Sequence, residues 1–169
     1  ENTWGSAGEY AYSSDLVADS DGISHAPGSE SPGGDWALLL IDDEIEEDWG
    51  VFYAGWDVTG DYPIISCGVH HPGGTPKKIN YDDDTAYGAW WDTASHGLTH
   101  WQVNWDEGGS EGGSSGSPIF NDLFQIVGVL TGGAGECGEG WPDLYGKSYY
   151  GWNWEMPSNR RMIDWLDPD

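Results

Sequence analysis

The chain has 169 residues, with 30 acidic against 5 basic side chains and a formal net charge of −25. That length supports about one domain with a real core, and that charge argues against binding nucleic acid or an anionic membrane surface while favouring cationic ligands or peptides. Only 37% of the residues are hydrophobic, which leans toward disorder, but twelve Trp, nine Tyr and three Phe are too much aromatic surface to leave in water. A folded domain with an acidic, solvated surface is therefore expected. The longest apolar run, WALLLI at 36–41, is far short of the roughly 18 residues of a membrane span. The chain starts at Glu1, as a processed product or a fragment would, so a secretory leader need not be visible. Cys67 and Cys137 are too few for a disulfide scaffold and wrongly spaced for a zinc site; they pair with each other or with something outside this chain.

Residues 1–34 are rich in Gly, Ser, Asp and Glu and predict loop or edge structure around EYAYSS and DLVADS. DWALLLI at 35–41 has the size of a buried strand. GVFYAGWD (50–57), PIISCGVHHP (63–72) and KKINY (77–81) follow as further strands. THWQVNW (99–105) alternates strictly, with Trp101, Val103 and Trp105 on one face and His100, Gln102 and Asn104 on the other. SPIF (117–120), FQIVGVLTGG (124–133) and YGKSYYGW (145–152) complete the strands. Short strands at intervals of about ten residues, divided by turn signals, predict an antiparallel barrel or sandwich. Only the end predicts a helix: Ser158 after Pro157 is a plausible N-cap, and Met162, Trp165 and Leu166 share a face before Pro168.

The Gly/Ser-rich stretch 108–117 is either a linker between modules or a tight loop inside one domain. Only some fifty residues follow it, too few for a second core of ordinary size, so the loop is favoured. Such a loop suits acyl transfer, because Ser115 could stand on a sharp turn while Gly113 adopts angles that point successive N–H groups into one hollow.

GGSSGSPIF (112–120) followed by VGVLTGG (127–133) resembles the nucleophile loop and substrate strand of trypsin-like serine proteases, and more narrowly those of bacterial lysyl endopeptidases. DWALLLI resembles that group's strand with the catalytic aspartate. FYAGWD, GVHHPGGTPKKI and THWQVNW resemble its successive barrel strands, DLYG (143–146) its specificity-pocket segment and MIDWLDP (162–168) its terminal helix. The match runs in order from about residue 35 to the end.

The resemblance implies an all-β, antiparallel Greek-key barrel of the trypsin-like fold with a C-terminal helix. Residues 1–49 would be a remnant of the N-terminal barrel with the aspartate strand, 50–156 the C-terminal barrel with the serine loop, and 157–169 the helix. It makes Ser115 the nucleophile, the N–H groups of Gly113 and Ser115 the oxyanion hole, and Asp35 the carboxylate that holds the catalytic imidazole. Gly132 and Gly133 would lie along the substrate backbone, Asp143 would pair with a substrate Lys or Arg, and Trp90, or its neighbour Trp91, would wall the pocket. Thr131 stands where lysyl endopeptidases have a histidine, which leaves the Lys-over-Arg preference open. The family's catalytic histidine lies well upstream of the aspartate, and nothing in residues 1–34 resembles its motif. His25 is too near Asp35, His70 and His71 match a non-catalytic pair, and His96 and His100 fall in or beside the second barrel. The counterpart of Cys137 pairs with an N-terminal cysteine absent here.

The expectation is thus a secreted, monomeric serine endopeptidase for peptides or proteins with basic residues, without cofactor or metal, and inactive as this polypeptide alone. A non-catalytic module binding carbohydrate or protein through its tryptophans, and an inactivated protease homologue, are the alternatives. DDEIEED (42–48) and YDDD (81–84) lack calcium-loop spacing and are read as solvated charge runs.

Overall fold

The computed structural model describes residues 13–20, 34–91, 98–133, 142–153 and 157–168. Ten strands and two short helices follow in chain order: β1 (Ser14–Asp19), β2 (Ala37–Ile41), β3 (Gly55–Trp56), β4 (Ser66–His70), β5 (Lys78–Asp82), β6 (Tyr87–Ala89), β7 (His100–Val103), β8 (Pro118–Phe120), β9 (Gln125–Gly133), β10 (Asp143–Lys147), α1 (Ser148–Trp152) and α2 (Ile163–Leu166). Strands β1 and β2 form a separate antiparallel ribbon. The rest form one curled, mostly antiparallel sheet in the order β5-β4-β8-β9-β10-β7-β6, with β3 paired in parallel to the start of β9.

The alternation predicted for 99–105 produces the core. Trp101 and Val103 are buried with Ala86, Ile119, Val127, Leu130 and Tyr145, and Trp105 packs against them half-buried. Trp101 satisfies its indole N–H on the Val127 carbonyl at 3.1 Å, as a buried tryptophan must. On the opposite face His100 is fully buried, Gln102 is half-buried and Asn104 is exposed. Lys147, the last residue of β10, is buried too, its ammonium 3.9 Å from the centre of the Trp101 ring and 5.5 Å from that of Tyr62.

Four predicted elements differ from the sequence reading. DWALLLI is a strand but not a buried one: Leu39, Leu40 and Ile41 are about half exposed at 55%, 55% and 49%. Among the described residues its strand partner is β1. Of GVFYAGWD only Gly55 and Trp56 enter the sheet, while Phe52 and Tyr53 stand in solvent. YGKSYYGW divides, since β10 stops at Lys147 and Ser148 begins α1. The terminal helix is also in two pieces, a turn of 3-10 helix at Ser158–Arg160 and then α2, because Arg161 between them is extended. Ser158 lies inside that turn and caps nothing; Pro157 precedes it.

One close approach positions the aspartate. Gly34 (φ +102) and Asp35 (φ +49) turn in the left-handed region just before β2, and the Gly34 carbonyl rests on Gly146 of β10. Any Cβ at 146 would occupy the place of that carbonyl. The Ser20 N–H to Trp36 carbonyl bond extends the ribbon's own pairing, and Arg160 anchors the ribbon by pairing with Asp19.

Candidate active site

The Gly/Ser stretch is a folded loop, not a tether. Gly73 donates to the Gly112 carbonyl (2.9 Å), Ser114 to that of Glu111 (3.0 Å), Ser117 to that of Ser114 (3.1 Å) and Gly116 to that of Leu130 on β9 (2.8 Å). Gly109 donates to Asn80 Oδ1 at 3.2 Å. Gly113 sits at φ +100, a conformation that favours glycine. In this frame the N–H groups of Gly113 and Ser115 have no hydrogen-bond partner among the described residues, which leaves both available to an incoming oxygen.

The two serines of the motif are placed differently. Ser114 is buried, its hydroxyl 2.8 Å from His70 Nδ1 and accepting the Glu111 N–H at 3.2 Å. Ser115 is exposed and faces a cavity of about 680 Å³. Asp35 and Trp36 line that same cavity, with Gly116, Val129 and Leu130. Ser115 and Asp35, 80 positions apart in the chain, are thus brought to one hollow. No histidine lines it among the described residues; His25 and His96 lie outside them, as does Cys137. Cys67 is half-buried, and burial pushes its thiol up.

Asp35 is held by a chain of hydroxyl and imidazole groups. Burial pushes its carboxyl above the ordinary range, and a hydrogen bond with the Thr131 hydroxyl partly offsets this. His100 Nε2 lies 3.1 Å from Thr131 Oγ1, and its Nδ1 lies 2.8 Å from Thr99 Oγ1. If Thr131 gives its proton to Asp35, then Nε2–H donates to Thr131 and Thr99 donates to Nδ1, so one tautomer satisfies every group. Trp91 lies beside His100 with ring centres 6.0 Å apart and planes tilted by 34°, and a Cβ at Gly132 would press on its ring edge. Trp90, the tryptophan named first from sequence, is instead 57% exposed.

Asp143 is fully buried at the start of β10. Oδ1 accepts the Ser110 hydroxyl and Oδ2 the Trp105 indole N–H, both at 2.7 Å. Burial pushes its carboxyl up, while the bonds from Ser110 and Trp105 partly offset this. Gly133 lies directly against it, and a Cβ there would collide with Oδ1. The structure does not bring Asp143 to the wall of the Ser115 cavity. Among the described residues no cluster of three or more His, Cys, Asp or Glu has a metal-holding arrangement, and no helix is long and apolar enough to cross a membrane.

Sequence reasoning missed the partners that fix these groups, namely His70 and Asn80 behind Ser114, His100 behind Thr131, and Ser110 and Trp105 on Asp143. A signal existed for His70, since Ser66, Gly68 and His70 alternate as the inward face of β4.

A curled antiparallel sheet, a serine on a glycine-rich loop before β8 and an aspartate at the mouth of a β-ribbon define the class of trypsin-like serine proteases. The overall structure agrees with that class. It superposes on kallikrein-related peptidase 10 with a TM-score of 0.54 at 13% identity, over 82% of this chain and 66% of that one. It is also similar to the inactive form of the Ser343Ala mutant of Rv3671c from M. tuberculosis H37Rv, with a TM-score of 0.49 at 14% identity, over 83% and 62% of the two chains. The chain spans less than two thirds of the length of each of these structures. Residues 15–151 match the model of the family described as lysyl endopeptidase, C-terminal domain, and the chain belongs to that family.

Proposed function

We propose that this polypeptide is the nucleophile-bearing part of a secreted, monomeric serine endopeptidase that cleaves beside Lys or Arg. The observation that carries the reading is that Ser115 and Asp35 line one cavity, while the Gly113 and Ser115 amides have no hydrogen-bond partner among the described residues. In this mechanism Ser115 Oγ attacks the scissile carbonyl carbon, the C=O π pair moves onto oxygen, and that oxyanion is received by the two amides. An imidazole takes the serine proton and passes it to the leaving amine, and water then hydrolyses the acyl-enzyme by the same steps. Asp35 holds and charge-stabilises the imidazole, oriented in turn by Thr131. No histidine is among the described residues of the cavity wall, so the reading takes the imidazole from polypeptide outside this chain. Asp143 supplies the negative charge for the basic side chain, with Gly132 and Gly133 beside the substrate backbone.

The test compares the complete gene product with this chain alone on reporter peptides bearing Lys, Arg or Ala at the cleavage position. The complete protein should cleave the basic peptides, Ser115→Ala should abolish cleavage, and this chain alone should be slower by about 10⁴-fold or more. Undiminished cleavage by the Ser115→Ala protein refutes the assignment. A complete protein that binds peptides but cleaves none is the inactivated homologue. That second reading is favoured by the lack of a histidine in the described cavity wall.

A further inference from the structure

The nucleophile loop is clamped from behind by a side chain that the mechanism above does not use. His70 is 4% exposed on the inner face of β4, and both ring nitrogens are committed. Nε2 lies 2.7 Å from Asn80 Oδ1 on β5, and Nδ1 lies 2.8 Å from Ser114 Oγ. Asn80 Oδ1 also accepts the Gly109 N–H, so it faces two donors and Nε2 carries a hydrogen. In the neutral ring Nδ1 is then an acceptor for the Ser114 hydroxyl, whose oxygen receives the Glu111 N–H. The imidazole thereby ties both ends of the loop, Gly109 through Asn80 and Ser114 directly, to the β4–β5 hairpin.

Ser114 lies between the two residues whose amides form the anion-receiving hollow. Its N–H and carbonyl are both bonded within the loop, so the torsions that aim the flanking amides are set by where its hydroxyl is held. We infer that His70 is a positioning residue: through Ser114 Oγ it fixes the peptide planes that present the Gly113 and Ser115 N–H groups to the oxyanion. This rests on the proteolytic role of Ser115 and adds to it a residue that never touches substrate. A displaced amide pair weakens the stabilisation of the charge formed in the transition state more than substrate binding, so the effect falls on turnover.

Two replacements separate the halves of the clamp. The amide of His70→Asn reaches the place of Nδ1 and keeps the Ser114 contact, whereas that of His70→Gln reaches the place of Nε2 and keeps only Asn80. Ser114→Ala removes the same contact from the other side. On this chain, amide hydrogen exchange at Glu111 and Ser114 should accelerate about tenfold or more in His70→Gln and Ser114→Ala. In His70→Asn it should stay within about threefold of the parent, with Val127 in β9 unchanged throughout. In the complete protease, kcat per titrated active site should fall roughly 10–100-fold in the first two variants, with KM within about twofold, and be largely retained in His70→Asn. Equal behaviour of the Asn and Gln variants, or unchanged exchange at Glu111 and Ser114, would overturn the inference, since a merely packed histidine makes no such distinction. If the complete protein cleaves nothing, the proteolytic reading falls and the exchange pattern alone decides the clamp.

Discussion

Replacing Asp82 by asparagine should stabilise the fold at neutral pH and flatten its dependence on pH. Asp82 closes β5 and is 2% exposed. It accepts the Asp84 N–H at 3.3 Å, and Asp106 and Asp84 add negative charge beside it. Burial, helped by those neighbours and outweighing the Asp84 bond, pushes its carboxyl from 3.8 up to about 6. A group that binds its proton more tightly folded than unfolded contributes stability that is full below the unfolded value and is lost as pH rises through the folded one. The loss therefore runs from about pH 4 to about pH 6. A shift of about two units corresponds to about 3 kcal/mol at most, and water reaching the exposed Asp83 and Asp84 reduces this to roughly 1–2 kcal/mol. Asparagine keeps the acceptor for the Asp84 N–H and removes the titration. Urea unfolding of both proteins at pH 4.5 and pH 7.5 measures it. The parent should be more stable at the lower pH, with most of the gap absent from Asp82→Asn. An equal gap in both proteins, or a variant less stable at pH 7.5, refutes the reasoning.

Three further outcomes are expected. Thr131→Val should cost about 1–3 kcal/mol in urea unfolding, because it keeps the volume but removes the hydroxyl between Asp35 and His100; a change under about 0.5 kcal/mol would deny that relay any weight. Burial lowers the Lys147 ammonium from 10.5 to about 8, so the unfolded chain holds the extra proton and stability should rise between about pH 8 and pH 9.5. Lys147→Met should lack that rise, whereas a parental profile in the variant would mean the amine stays charged over the Trp101 ring. Added NaCl should raise the thermal midpoint by several degrees and lower kcat/KM of the complete protease on basic peptides, because it screens both self-repulsion and attraction of the substrate. Matching changes of one sign would contradict a common electrostatic origin.

The sheet was legible where a strand carries its own alternation. Trp101 and Val103 announce their face because large apolar side chains recur every second residue, and the order of strands was carried by short runs between turn signals. Depth was less legible. DWALLLI has the composition of a core strand, but burial depends on what covers a strand, and β2 has only β1 beside it among the described residues. The tail of β10 failed for a local reason: SYYGW suits strand or helix alike, and Gly151, packed on the Trp36 indole, lets it dock as a helical turn. In the site, Ser115 and Asp35 were accessible through family resemblance rather than through physics, since 80 residues of sequence conceal their proximity. Their supports were hidden more deeply. A buried histidine or threonine is chosen by its partner's position across the sheet, and no one-dimensional pattern records that Asn80, His70 and Ser114 meet.

The scarcity of cations gives these buried contacts their weight. Of the five basic side chains, Lys147 is enclosed by aromatic rings, Arg160 is paired with Asp19 and Arg161 with Asp164, which leaves Lys77 and Lys78 to face thirty acids. Ion pairing is therefore confined to a few surface carboxylates such as Asp19 and Asp164. Asp35 and Asp143 are instead held by hydroxyl and indole donors, Thr131 to one and Ser110 with Trp105 to the other. Neutral donors fix a carboxylate without cancelling its charge. Both groups are thus oriented by neutral donors, and the roles proposed for them, Asp35 beside an imidazolium and Asp143 beside a basic side chain, would supply each with the cation that its surroundings lack.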